Sequence, residues 1–222
     1  MLCRTLCGGA NVIDKIDCKN KIANDANKYL IALLSHVQQK RPLLEGVSKE
    51  LYDEVKGAYK RGDTSMYADW YVGNIGFLAS FNGKWFDGGF AKIVYEKTKN
   101  GLRLRDYYRE AKDNLLNQSD DLFGIVFLNK DYRDLELPSK SLVYCDPPYR
   151  HTTKYANSKG FDHEKFWDWV RANTTNDRVI IVSELDAPKD FTTIWEQEVV
   201  RSLNPNKQQR ATEKLFVYQG NK

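Results

Sequence analysis

Leu142-Val143-Tyr144-Cys145-Asp146-Pro147-Pro148-Tyr149 decides how the rest of the chain is read. The apolar run has the look of a short buried strand. It stops at an acid followed by two prolines. Proline offers no N–H to a sheet ladder, so Pro147 and Pro148 end the strand and stiffen the turn. In an open α/β sheet, ligands gather at the carboxyl ends of the strands. Asp146 and Tyr149 are therefore expected on a rigid corner at the place where chemistry occurs.

Working outward, Met1–Leu6 reads as a strand, Cys7-Gly8-Gly9-Ala10-Asn11 as a tight turn, and Val12–Ile16 as the start of a helix. That order lets backbone approach a nucleoside or a charged tail, although a Gly-Gly pair also serves an ordinary turn. Lys21–Asp25 reads as a second short strand ending in an acid. Leu30, Leu33, Leu34 and Val37 follow at helical spacing over Ala26–Val37. A carboxylate at Asp25 can accept from both ribose hydroxyls of a nucleoside; it can also cap the next helix.

Asp146-Pro147-Pro148-Tyr149 resembles the D-P-P-Y signature of amino-directed methyltransferases that use S-adenosylmethionine, and the wider context resembles the Dam-type, often phage-borne, DNA adenine methyltransferases. The resemblance implies an α/β fold: a Rossmann-like methyltransferase sheet with an inserted, mainly helical target-recognition domain. It implies a site-specific enzyme that methylates N6 of an adenine flipped out of double-stranded DNA. The catalytic residues would be Asp146, Pro147, Pro148 and Tyr149. The cofactor would meet Cys7, Gly8, Gly9, Asp25, Asp146 and a D-F-like element at Asp131 and Tyr132, where Asp131 also reads as a turn acid. Asp146 and the Pro147 carbonyl would accept the two hydrogens of an amino nitrogen whose lone pair is delocalised, and Tyr149 would stack on its ring.

The sequence departs from the family pattern in places. Arg4 and Thr5 stand where the family carries Glu-Pro, and Leu6 and Ala10 replace its Phe and last Gly. The upstream lysine-rich motif that closes over the methionine end has no counterpart here, which sets an expectation of weakened cofactor affinity. Two alternatives follow: a catalytically weak or inactive DNA-binding homologue, and an amino-methyltransferase acting on RNA or protein.

Between Gly9 and Asp146 lie 136 residues, whereas three βαβ steps need roughly 90. The surplus reads as an insertion at 46–119, with the catalytic domain at 1–45 and 120–222. Inside it Ser48–Lys60 and Thr64–Phe81 read as helices, the second rich in aromatics. From Lys84 to Lys112 there are eight Lys/Arg against four acids. This excess is the expected DNA footprint, with Lys84, Trp85, Lys92, Arg103 and Arg105 in contact and Tyr155 reaching in after the D-P-P-Y corner. A solvated helix face is the plainer reading of Arg103–Lys112. Ile125–Leu128 and Val179–Val182 read as strands, Asp162–Ala172 as a helix with Phe166, Trp169 and Val170 inward. Ile194–Val200 and Lys214–Tyr218 read as the last strands, joined by a polar loop at Asn204–Thr212.

The 222 residues carry a net charge of +4, which permits nucleic-acid binding without demanding it. No run of about 18 apolar residues exists to span a membrane. The start lacks a signal-peptide pattern. Cys3, Cys7, Cys18 and Cys145 form no C-x-x-C pair and read as reduced thiols of a cytoplasmic protein. Neither a metal nor the three histidines is needed for the implied reaction, and a monomer is expected.

Overall fold

The computed structural model describes residues 1–99, 101–150, 160–204 and 207–220, with side chains described outside 199–211. In chain order the strands are β1 (Leu2–Arg4), β2 (Lys21–Asn24), β3 (Ile93–Thr98), β4 (Gly101–Asp106), β5 (Ile125–Leu128), β6 (Ser141–Cys145), β7 (Arg178–Glu184), β8 (Phe191–Asn204) and β9 (Lys207–Tyr218). The helices are α1 (Lys28–Gln38), α2 (Lys49–Arg61), α3 (Asp69–Gly73), α4 (Tyr107–Gln118) and α5 (His163–Asn173). The chain forms two compact units. One gathers Met1–Ala26 with the chain from Lys130 onward, the other Asn27–Asn129. The second unit thus takes in α1 and β5 as well as the stretch 46–119.

In the first unit the strands lie in the order β2-β1-β6-β7-β9-β8. β1 runs parallel to β2 and to β6, and β6 parallel to β7. β9 is antiparallel to both β7 and β8. This is a mainly parallel α/β sheet of Rossmann-like architecture. Its inner strands are short, and one face is apolar and fully buried at Cys3, Val143, Cys145, Ile180 and Val182, while Leu142 and Val179 on the other face are exposed. Asp162 caps α5 by accepting the Lys165 N–H, and the helix buries Phe166, Trp167 and Val170. Trp167 meets Phe191 edge-on at 4.6 Å between ring centroids. The expected inward Trp169 is only half-buried; Trp167 takes that place.

Several expected elements change. The helix at Val12–Ile16 is a single 3-10 turn at Ile13–Lys15. The last two strands extend through the polar stretch read as a loop, so β8 reaches Asn204 and β9 resumes at Lys207. Cross-strand pairing in a long hairpin holds polar residues that strand propensity alone does not favour.

In the second unit Asn27 caps α1 with its side chain, and Ser48 caps α2, which ends on Gly62 at φ 74°. The helix expected over Thr64–Phe81 is instead α3 followed by a π turn at Asn74–Leu78. Two glycines explain the break. A Cβ on Gly73 would lie 2.3 Å from the Tyr29 carbonyl oxygen, and one on Gly76 2.3 Å from the Trp85 ring. The wider turn lets this segment press against α1 on one side and an aromatic cluster on the other. Buried Asn74 and Tyr108 share hydrogen bonds, and the Tyr108 hydroxyl donates to the Leu44 carbonyl at 2.7 Å. The antiparallel ribbon β3–β4 is not a helical element at all. Its signal was present: alternating residues on both sides of Asn100-Gly101, a dipeptide that favours tight hairpins.

Candidate active site

The parallel register brings the carboxyl ends of β2, β1 and β6 side by side, with Arg4 level with Ala23 on one side and Tyr144 on the other. Three loops leave from these ends. The Thr5 N–H donates to the Tyr144 carbonyl at 3.2 Å and the Cys7 N–H to the Asn24 carbonyl at 2.9 Å, which ties the glycine turn to both neighbours. Asn24 finishes the job. Fully buried, it donates to the carbonyls of Thr5 and Lys130, each at 3.0 Å, and accepts the Lys130 N–H at 2.9 Å. A short amide with two donors and an acceptor is suited to staple two loops at once. Sequence reasoning gave Asn24 no role; an Asn closing an apolar strand was its one signal.

Gly8 adopts φ 48°, open to space where a side chain would be, and its N–H donates to Asp25 at 3.2 Å. The cap of the following helix is Asn27, not Asp25. Asp25 is therefore an acid set against the glycine turn. Gly9 is exposed beside it, and Cys7 is buried beneath. Burial raises the Cys7 thiol, and pushes those of Cys3 and Cys145 up to about 11 and about 12. All four cysteines are free. Thr5 Oγ1 lies 3.0 Å from Cys145 Sγ, a side-chain contact between the two central strand ends.

The corner at 146–149 sits directly beside that turn. Pro147 is buried; Asp146, Pro148 and Tyr149 are partly exposed. Tyr149 Oη is 2.9 Å from Ser183 Oγ at the end of β7, and the Arg150 N–H donates to Glu184 at 2.8 Å. Ser183 and Glu184 thus hold the corner from the far side. Burial pushes the Tyr149 phenol up to about 12 and the Glu184 carboxyl up to about 7. Among the described residues, the buried Glu184 Oε2 has no hydrogen-bond partner.

Among the described residues, Asp146 has one close ionic partner. Arg4 Nη2 lies 3.2 Å from its Oδ2, with the Arg4 side chain 6% exposed and that of Asp146 36%. The guanidinium also lies 5.3 Å from the Tyr144 ring centroid. Burial raises the Asp146 carboxyl, Arg4 opposes this, and Glu213 adds to it.

Other expected site residues are placed differently. Asp131 caps a 3-10 turn and takes a two-pronged ion pair from Arg133, with both contacts at 2.8 Å; this is the behaviour of a turn acid. Tyr132 is buried against Phe161, Phe166 and Trp169. Trp85, expected on DNA, is corrected to a core residue: it is 5% exposed and stacks on Tyr29 at 5.3 Å. Lys84 is half-buried and Lys92 exposed. Arg105 is held by Glu110 at 3.0 Å, with Glu96 at 3.8 Å, and Arg103 has Glu110 at 3.8 Å. Tyr155 lies outside the described residues. The ribbon instead bares an apolar face: Ile93, Tyr95, Leu102 and Leu104 are all more than half exposed. Register puts Tyr95 opposite Leu104 and Lys97 opposite Leu102 on that same face. Among the described residues no His, Cys, Asp and Glu group could hold a metal, and no helix is long and apolar enough to cross a membrane.

A glycine turn set against a carboxylate has the chemistry to meet the hydroxyls of a nucleoside.

No curated relative matches the sequence. Among solved structures, the rRNA methyltransferase aviRa from Streptomyces viridochromogenes superposes with a TM-score of 0.40 at 11% identity, covering 98% of this chain and 75% of that one. The model of the D12 class N6 adenine-specific DNA methyltransferases matches residues 6–176, a span that holds both the glycine turn and the D-P-P-Y corner, and the chain belongs to that family.

Proposed function

We propose that this chain transfers a methyl group from S-adenosylmethionine to N6 of an adenine drawn out of double-stranded DNA. The observation that carries the reading is the junction of the Asp146 corner with the Cys7–Gly9 turn, joined by Arg4 and by the Thr5 N–H. One acid at the tip of β2 and another at the tip of β6 flank a glycine turn. Asp25 and the turn suit a nucleoside; Asp146 suits the amino group of a base.

When bound, the cofactor supplies an electrophilic methyl, so no protein nucleophile is required. Asp146 keeps Oδ1 for one N6 hydrogen while Arg4 occupies Oδ2. The Pro147 carbonyl offers the second acceptor on a turn the two prolines hold rigid. As the nitrogen takes the methyl it becomes positive, and a preset carboxylate stabilises it without reorganising. The Tyr149 ring offers a stacking face worth about 1–3 kcal/mol, with its hydroxyl anchored on Ser183. An adenine inside the duplex cannot reach such a corner, so the base must leave the stack.

The duplex contact we assign to the β3–β4 ribbon. Its bare apolar face, with Lys97 upon it and Lys92 exposed nearby, suits a groove in which aliphatic side chains wedge between bases and cations meet phosphate. Arg103 and Arg105 serve here chiefly to brace the ribbon against Glu110 and Glu96.

The test is methyl transfer from radiolabelled cofactor to adenine-containing duplexes, with digestion to nucleosides. Label in N6-methyl-2′-deoxyadenosine is the expected result. Label only in RNA or in a glutamine-containing protein, or none in any substrate, would overturn the reading.

A further inference from the structure

Asp146 and Tyr149 are the two side chains that the proposed reaction asks of the corner, and each is held from a strand beside β6. Arg4 at the end of β1 meets Asp146 at 3.2 Å, and Ser183 near the end of β7 meets the Tyr149 hydroxyl at 2.9 Å. Register sets both holders on one face of the sheet. Arg4 pairs with Tyr144, Tyr144 pairs with Ile181, and Ser183 follows Ile181 by two residues. Tyr144 therefore stands between the holders. Its ring centroid lies 5.3 Å from the Arg4 guanidinium, and its phenol has Ser183 as a hydrogen-bonding neighbour. The contacts close a ring that runs Asp146, Arg4, Tyr144, Ser183, Tyr149 and back through the two prolines. A serine suits the middle of it, because one hydroxyl can donate once and accept twice and so serve two phenols. Ser183 is 6% exposed, which keeps water from competing for it. Burial pushes the Tyr149 phenol up to about 12 and raises that of Tyr144, so both keep their protons at neutral pH.

We propose that Ser183 and Tyr144 are positioning residues for methyl transfer: together they fix the plane of the Tyr149 ring relative to Asp146, so that a base stacked on the one presents its amino group to the other. The inference rests on the function proposed above. The need for them lies in the tyrosine side chain. Pro147 and Pro148 stiffen the backbone, but the ring beyond it still turns about two single bonds. Holding the hydroxyl at the far end of the ring removes both freedoms. A stacked base moves with the ring, and a displacement of about 1 Å at the reacting nitrogen costs on the order of a hundredfold in rate. Ser183 and Tyr144 act through Tyr149 and Asp146, so their loss is felt in the transfer step and not in the affinity for duplex.

Single-turnover methylation of an adenine-containing duplex, with duplex affinity from fluorescence anisotropy, tests this on wild type, Ser183→Ala, Tyr144→Phe, Tyr149→Phe and the double variant Ser183→Ala with Tyr149→Phe. Each single variant is expected to transfer about tenfold more slowly while binding duplex within about twofold of wild type. The double variant is expected within about twofold of its slower parent, since the Ser183 and Tyr149 hydroxyls are two ends of one tether. Losses that multiply to about a hundredfold in the double variant overturn the proposal, as does a wild-type rate in any of the single variants. Tyr149→Phe cuts the same tether from its other end and decides the matter even if Ser183→Ala does not fold. Failure of the folded wild type to methylate any duplex sinks the methyl-transfer reading itself; an active wild type with equally active variants sinks this inference alone.

Discussion

Replacing Glu184 by Gln isolates the electrostatic burden at the back of the D-P-P-Y corner. Glu184 is 3% exposed, accepts the Arg150 N–H, and among the described residues leaves Oε2 buried without a partner. Burial raises its carboxyl from the ordinary 4.5 to about 7, and the nearby Asp146 adds to the rise. The folded protein therefore holds this proton more tightly than the unfolded chain does. Below pH 4.5 both states are protonated and the stability contribution is intact. Between 4.5 and about 7 only the folded state keeps the proton, so stability falls as pH rises. Above that window the folded state carries a buried anion. The gap corresponds to about 3 kcal/mol, an upper figure because the corner can relax to admit water. Gln keeps the oxygen that Arg150 needs and cannot ionise. Its NH₂ brings a burial cost of its own, about 1–3 kcal/mol, but that cost does not change with pH. The measurement is thus the difference in unfolding free energy between Glu184→Gln and wild type, from urea melts at pH 4.5, 5.5, 6.5 and 8. It should shift in favour of the variant by about 2–3 kcal/mol from the lowest pH to the highest, or about 2–4 °C per kcal/mol in thermal melts. A difference that stays flat, or moves toward wild type, refutes the reasoning.

Asp146→Asn should lose methyl transfer by at least about a hundredfold, with duplex affinity by fluorescence anisotropy within about twofold of wild type, because the ribbon is untouched. Asp146→Ala should also destabilise, by about 1–3 kcal/mol, since it strands the Arg4 charge; adding Arg4→Met should recover most of this in a double-mutant cycle, and strict additivity would argue against the ion pair. Gly73→Ala should cost about 1–3 kcal/mol in chemical denaturation despite Ala being the better helix former, because the new methyl meets the Tyr29 carbonyl at 2.3 Å; a stabilised variant would contradict that packing. Tyr95→Ala with Leu102→Ala should weaken duplex binding about tenfold or more and leave the melting temperature alone, both side chains being about three-quarters exposed; unchanged binding would remove the ribbon from the interface.

The parts of the fold legible in the sequence were those written in local pattern. β5, β6 and β7 carry apolar runs bounded by turn residues, and α2 begins at a Ser cap and ends at a Gly in the left-handed region. What escaped was set by partners distant in sequence. The Thr64–Phe81 stretch has helical periodicity, yet two glycines pressed on Tyr29 and Trp85 turn it into a short helix and a π turn. Trp85 looked like a stacking residue because composition cannot tell an aromatic that meets a base from one that meets four other aromatics. The polar run at 207–212 has no strand character of its own and acquires it from the ladder between β8 and β9.

At the site the letters located the corner and the turn, because prolines and glycines act through their own backbone and need no partner to be understood. They could not show which side chain faces Asp146, since Arg4 is 142 residues away and reaches it only through the parallel pairing of β1 with β6. The same pairing makes Arg4 more than a replaced motif residue. A charged side chain at the end of a central strand, flanked by strands on both sides, has little access to solvent and must find its counter-ion among the neighbouring strand ends. β6 supplies one in Asp146, and β2 supplies Asp25, which is already engaged by the Gly8 N–H. Arg4 is thereby directed to the acid the reaction depends on. Any substitution at position 4 consequently acts on Asp146 as well. Loss of the cation should be felt first as a change in how that carboxylate binds charge, and only secondarily in the sheet, where the β1 backbone pairing does not use the side chain.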